Sequence, residues 1–199
     1  MTIDREDLLS SIMESLDRIV YIKPEDIPNI DLYMDQVTTF MESRLKSATR
    51  NPEEDKILTK TMINNYAKND LLPPPVKKKY SKDHVLMLIF IFYYKGILSI
   101  SDIQELLKPL TEKFFDTKDS AYNLEKIYDT VLGLEKSQED TLKQDILDKF
   151  QISEKTFTDA PADSRKFLQI FSFICMLSFD VYVKRLLIEK IIDLLKSEK

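Results

Sequence analysis

Apolar residues recur at helical spacing along most of this chain. Leu8, Leu9, Ile12, Met13, Leu16 and Ile19 follow the i, i+3, i+4 rule and predict an amphipathic helix over residues 4–19, with Thr2 or Asp4 as its N-cap. Pro24 and Pro28 break that pattern. Leu32, Val37, Phe40, Met41 and Leu45 then predict a second helix, starting after Asp31 and reaching about Ala48. Ile63, Tyr66 and Ala67 give a third, short helix its inward face, with Thr59 as cap, Asp70 at its end, and Leu71 and Leu72 returning the chain to the core. Pro73-Pro74-Pro75 stiffens the next stretch as extended polyproline II, and Lys77, Lys78 and Lys79 place three cations on an exposed loop. Residues 85–92 are apolar on almost every side, so that helix, capped by Ser81, belongs between layers. Gly96 suits its end, and Ser101-Asp102-Ile103-Gln104 fits a capping box opening a helix that stops near Pro109.

Beyond Pro109 the pattern stays helical. Leu124, Ile127, Tyr128, Val131 and Leu134 predict a helix over 121–134; Leu142, Ile146, Leu147 and Phe150 predict a short one over 141–150. A loop with Pro161 leads to a long helix over 164–196, striped by Val183, Leu187, Ile191, Leu194 and Leu195. Its most apolar run, 167–179, is interrupted by Gln169, Ser172 and Ser178 and is shorter than the ~20 residues a bilayer span needs. A core or interface helix is the reading, with Cys175 as a small buried hydrophobe and no membrane partner. The fold class is all-α: an N-terminal helix and linker (1–30), a winged helix-turn-helix core (31–109) and a C-terminal helical region (110–199) for packing or dimerisation.

Composition adjusts this picture in three ways. Only Gly96 and Gly133 are glycines among 199 residues, too few for many turns with positive φ, which favours helices. The net charge of −5 argues against generic, charge-driven nucleic-acid binding. Yet residues 57–109 carry eight lysines against four acidic side chains, a local balance of +4 against −9 elsewhere. One cysteine excludes an intrachain disulfide and fits a reducing cytoplasm, and the acidic N-terminus lacks the layout of a secretory signal.

Catalytic chemistry finds no support. His84 is the only histidine and has no Cys or His partner for a metal; a structural or exposed role is expected. No glycine-rich phosphate loop or serine elbow occurs, so neither enzyme activity nor a cofactor is expected.

Met62-Ile63-Asn64-Asn65-Tyr66, Asn69-Asp70-Leu71-Leu72-Pro73-Pro74, Lys79-Tyr80-Ser81 and the stretch from Gly96 to Ile103 follow one another in the order of a known motif set. They resemble the DNA-binding domain of MerR-type (mercury-resistance-regulator) transcription factors. The wording DLYMDQVTTFM, LTKTMINNY, LLPPPVKKKYS and SISDI is closer still to a bacterial family catalogued as domain of unknown function 1836, over about residues 25–110. The resemblance implies a MerR-like winged helix-turn-helix and no particular activity. Asn64 stands where MerR-type regulators usually carry arginine, and Asp70 where they carry glycine; losing the arginine removes a bidentate phosphate contact.

On this reading Thr59, Lys60, Thr61, Asn64, Asn65 and Lys68 form the polar face of a recognition helix, where Asn can pair with adenine and Lys with guanine or phosphate. Lys77, Lys78, Lys79 and Tyr80 form a wing that contacts phosphates. The expected function is a DNA-binding transcriptional regulator on double-stranded DNA, dimeric through the 164–196 helix. The alternatives are an adaptor that uses the same fold for protein contacts, with these residues as solvated surface, and a small-molecule sensor with a pocket around 167–179.

Overall fold

A computed structural model of the chain describes residues 5–17, 19, 21–117 and 121–197; the candidate caps Thr2 and Asp4 lie outside them. Eight α-helices and one two-stranded sheet are formed among these residues. The chain divides into two compact units, Met1–Leu134 and Glu135–Lys199.

In the first unit, α1 (Arg5–Asp17) precedes a linker with a 3-10 turn at Pro24–Asp26. The second helix begins later than its apolar pattern suggests. Leu32–Tyr33 is a short strand, β1, and α2 runs Met34–Leu45, followed by a 3-10 turn at Lys46–Ala48. Leu32 and Tyr33 are extended because they pair antiparallel with β2 (Lys79–Tyr80), Leu32 against Tyr80 and Tyr33 against Lys79. The Tyr33 N–H then donates to Gln36 Oε1 at 2.8 Å, which starts α2.

α3 (Lys60–Lys68) and α4 (Lys82–Tyr94) follow. The buried run from Val85 to Ile91 in α4 covers every side of the helix, as its sequence implies. Each such side chain contributes roughly 1.5–3 kcal/mol on burial, which makes α4 the axis of this unit. Phe90 stacks with Tyr94 and meets the ring of Tyr128 edge-on, while the Tyr128 hydroxyl donates to the Ile22 carbonyl at 2.7 Å. One side chain thereby joins α6 (Leu124–Ser137) to α4 and to the N-terminal linker.

α5 (Ile100–Phe114) differs from its predicted bounds at both ends. Its cap is Ser99, whose Oγ accepts the Asp102 N–H at 3.1 Å, not Ser101. The helix also continues through Pro109. A proline inside a helix costs about 3 kcal/mol. Stopping there would remove the half-buried Leu110 and Phe114 from the face they share with the buried Ile103 and Leu107.

Gly96 lies in the turn that ends α4, as its place in the sequence suggests, but it does not supply a left-handed residue there. Neither glycine has positive φ, whereas Asp70, Lys77, Lys78, Asp116 and Phe157 do, so the scarcity of glycine does not signal a scarcity of such turns.

In the second unit, α7 (Glu139–Glu154) is longer than its apolar pattern and packs on α8 (Ala162–Ser197), a single helix of 36 residues. Phe150 meets Phe173 edge-on, and Gln169 donates to the carbonyls of Glu154 and Thr156 at 2.6 and 3.0 Å, closing the α7–α8 turn. Among the described residues of α8 only Gln169, Phe173 and Ile192 are buried. The rest of its apolar surface is not a core: Phe167, Phe171, Ile174 and Phe179 are 51–67% exposed and lie on an open face, and Cys175 is exposed as well. By length and composition alone α8 could cross a bilayer, and only 11% of its apolar window is buried.

Candidate nucleic-acid interface

The candidate recognition helix is set by its two ends. At the start of α3, Thr59 Oγ1 accepts the Met62 N–H at 3.1 Å, a hydrogen bond worth about 1 kcal/mol. At its end, Asp70 takes a left-handed turn with φ 54°, a conformation that aspartate tolerates better than most residues. The Leu71 and Leu72 N–H groups then both donate to the Tyr66 carbonyl, at 2.9 and 3.2 Å, and both side chains are buried. With Ile63 and Tyr66 directed into the core, Lys60, Thr61, Asn64, Asn65 and Lys68 are left exposed on the outer face. Thr59 is half-buried and serves as the cap.

The lysine trio forms a tight hairpin. Val76 and Lys79 exchange both backbone hydrogen bonds, at 3.1 and 2.9 Å, across a two-residue turn in which Lys77 and Lys78 have φ of 50° and 65°. Positive φ at both central positions marks a type I′ turn, whose twist matches the strands on either side. Lys77 and Lys78 are exposed at the tip, and Lys79 is half-buried at the root.

Two residues at the start of α2 reach both elements. Tyr33 lies under the Lys79 ammonium, 5.2 Å from the ring centroid, and Asp35 pairs with Lys60. Both partners of that ion pair are mostly exposed, so it contributes little stability, but it offsets one of the positive charges on the α3 face. Neither interaction is visible in a local pattern, because each joins residues 25 or more positions apart.

Tyr80 does not belong to the exposed set. It is 2% exposed, and its ring packs edge-on against His84 at 5.4 Å, so the hairpin uses it as a root and not as a contact. Burial pushes its phenol pKa up. His84 is buried as well. Its Nδ1 lies 3.0 Å from the Ser81 N–H, which donates to it, and its Nε2 lies 3.4 Å from the Pro74 carbonyl. Phe115 closes the other side of the imidazole, with ring centroids 4.8 Å apart. A neutral ring protonated on Nε2 satisfies both partners. Burial first of all holds its pKa below the ordinary value, against the Pro74 and Pro73 carbonyls and Asp83, which raise it. His84 is therefore structural: it ties the chain entering the hairpin to the start of α4. Among the described residues no group of His, Cys, Asp and Glu is placed to hold a metal ion.

The chain belongs to the family described as domain of unknown function (DUF1836), whose model matches residues 22–131. No curated protein and no solved structure matches the chain.

Proposed function

We propose that this member of the DUF1836 family is a DNA-binding transcriptional regulator of MerR-like helix-turn-helix type, working in the cytoplasm as a homodimer through α8. The observation that carries the reading is a shared contact: Tyr33 and Asp35, two positions apart, touch the lysine hairpin and the start of α3 respectively. An exposed polar helix beside a cationic hairpin is what a duplex needs for groove and phosphate contacts. The exposed apolar residues of α8 favour a protein-covered helix. Asp180 lies directly after its apolar run, near the middle of the helix, and pairs with Lys149 of α7 at 2.8 Å, a charge that suits a protein interface better than lipid.

Fluorescence anisotropy with a labelled duplex from the upstream region of the gene tests this. Binding at low salt is expected, weakening as salt rises. Replacing Lys77 and Lys78 by alanine should lower the salt slope by about one for each phosphate that the hairpin no longer neutralises. Absent binding at low salt, or binding indifferent to those substitutions, overturns the reading.

The Lys60–Asp35 pair favours a second reading, in which the same fold serves as an adaptor, because it neutralises one cation of the α3 face. A stoichiometric protein partner recovered from a lysate without DNA would support that alternative.

A further inference from the structure

Beside the hairpin lies a cleft of about 590 Å³, bounded by the residues before β1, the hairpin, the starts of α4 and α6 and the end of α5. Its size is that of a small-molecule site. Two of its walls are apolar without serving the core: Ile30 and Val76 are 66% and 69% exposed, and Phe115 adds a ring.

Asp83 supplies the polar end. One of its oxygens, Oδ2, accepts the Asp116 N–H at 2.7 Å, which fixes the carboxyl at the cleft. Burial first of all raises its pKa; the Asp116 N–H lowers it, the Asp116 carboxylate raises it, His84 lowers it and Glu125 raises it. No cation pairs with Asp83 among the described residues. The two lysines that line the cleft are committed elsewhere, Lys82 to Glu125 at 2.8 Å and Lys79 to the Tyr33 ring. Asp31 adds a further negative charge at the wall, so an anion would be repelled. A metal ion is no better suited, for want of three ligating groups close enough among the described residues.

We propose that this cleft binds a small organic cation, an amine carried on an apolar body, with its ammonium at Asp83 and its body against Ile30, Val76 and Phe115. The proposed contacts to the amine are separate from the exposed face of α3 and from the two-lysine tip, so the proposal does not rest on DNA binding. The site would still bear on the hairpin, since Val76 and Lys79 at the hairpin root line the cleft.

The test is thermal unfolding of the full chain at pH 7 with phenethylamine, benzylamine or cyclohexylamine, each against the alcohol of the same skeleton. At least one amine should raise Tm in proportion to the logarithm of its concentration while its alcohol does not. Asp83→Asn should weaken that amine at least tenfold. The carboxyl carbon of Asp83, followed by NMR, should titrate at lower pH when the amine is present. Should Asp83→Asn fail to fold, Ile30→Ser at the exposed rim keeps the question open to experiment: it should weaken binding severalfold and leave the free protein's Tm unchanged. Alcohols that stabilise as well as amines, no amine active at millimolar concentration, or an Asp83 titration unmoved by the amine would each overturn the proposal.

Discussion

The ammonium of Lys79 rests over the ring of Tyr33, its direct partner in the β1–β2 pair, 5.2 Å from the centroid. This arrangement clamps the hairpin at its root and leaves the tip to Lys77 and Lys78. Such an exposed cation–π pair is worth about 0.5–1 kcal/mol. Tyr33→Leu should lose about that much stability in urea denaturation, while Tyr33→Phe, which keeps a ring, should stay near the parent. Equal losses in the two variants would mean that the Tyr33 hydroxyl matters and the ring face does not.

At the tip, two lysines occupy left-handed positions that asparagine and glycine fill with less strain. Lys77→Asn combined with Lys78→Gly should raise stability by roughly 1 kcal/mol, because the native turn is kept and its strain relieved. The same double variant should bind duplex DNA more weakly under the proposed function. A stabilised hairpin with unchanged DNA affinity would separate the turn's structural role from the charge it displays.

Local pattern carries much of the architecture, and its failures share a cause. The all-round apolar run of α4, the Thr59 cap and the return of Leu71 and Leu72 to the core are readable because each is decided within a few residues. The β1–β2 pair is not. It is two residues long and joins positions nearly fifty apart, so nothing near Leu32 distinguishes it from a first helical turn. Pro109 misleads because a proline's local cost is outweighed by the apolar face that Ile103, Leu107, Leu110 and Phe114 share. For α8, periodicity reports where apolar residues fall and not whether anything covers them, so Cys175 and its neighbours resemble core in sequence alone. The outer face of α3 is legible, since it is what remains when Ile63 and Tyr66 turn inward. Tyr80 is not, because its place in the wing follows from a motif match and its burial from the approach of His84.

The start of α5 offers a sharp comparison between two serines. Ser99 Oγ accepts the Asp102 N–H and also donates to the Asp102 carboxylate at 2.6 Å, whereas Ser101 is an exposed residue of the first turn. Ser99→Ala should cost about 1 kcal/mol, the usual loss for an N-cap, and Ser101→Ala should stay within about 0.5 kcal/mol of the parent. The reverse order, read from denaturation midpoints, would move the cap to Ser101.

Gly133 lies inside α6 with ordinary helical geometry, and a Cβ built there meets nothing within 4 Å. Glycine is destabilising by roughly 0.5–1 kcal/mol relative to alanine in such a place. Gly133→Ala should therefore raise stability, read from the unfolding midpoint, by that amount. A loss of stability would show that the chain needs backbone freedom at this point of α6.

His84 gives the first unit a specific response to acid. Its pKa is lowered in the folded chain, chiefly by burial, while the unfolded chain has an ordinary histidine near 6.5. Between those two values the unfolded state binds a proton that the folded state does not, so stability rises with pH through that window. The contribution is complete above about pH 6.5 and is lost as pH falls toward and through the lowered value. Structure gives the same sign: a proton on Nδ1 would face the Ser81 N–H donor, breaking the link at the start of α4. Asp83, raised by burial, acts in the opposite sense over its own window, from the ordinary carboxylate value upward. Stability measured from pH 7.5 to 5 should therefore decline, and His84→Gln should flatten that slope whatever it does to absolute stability. A slope that survives the substitution would assign the acid response to another group.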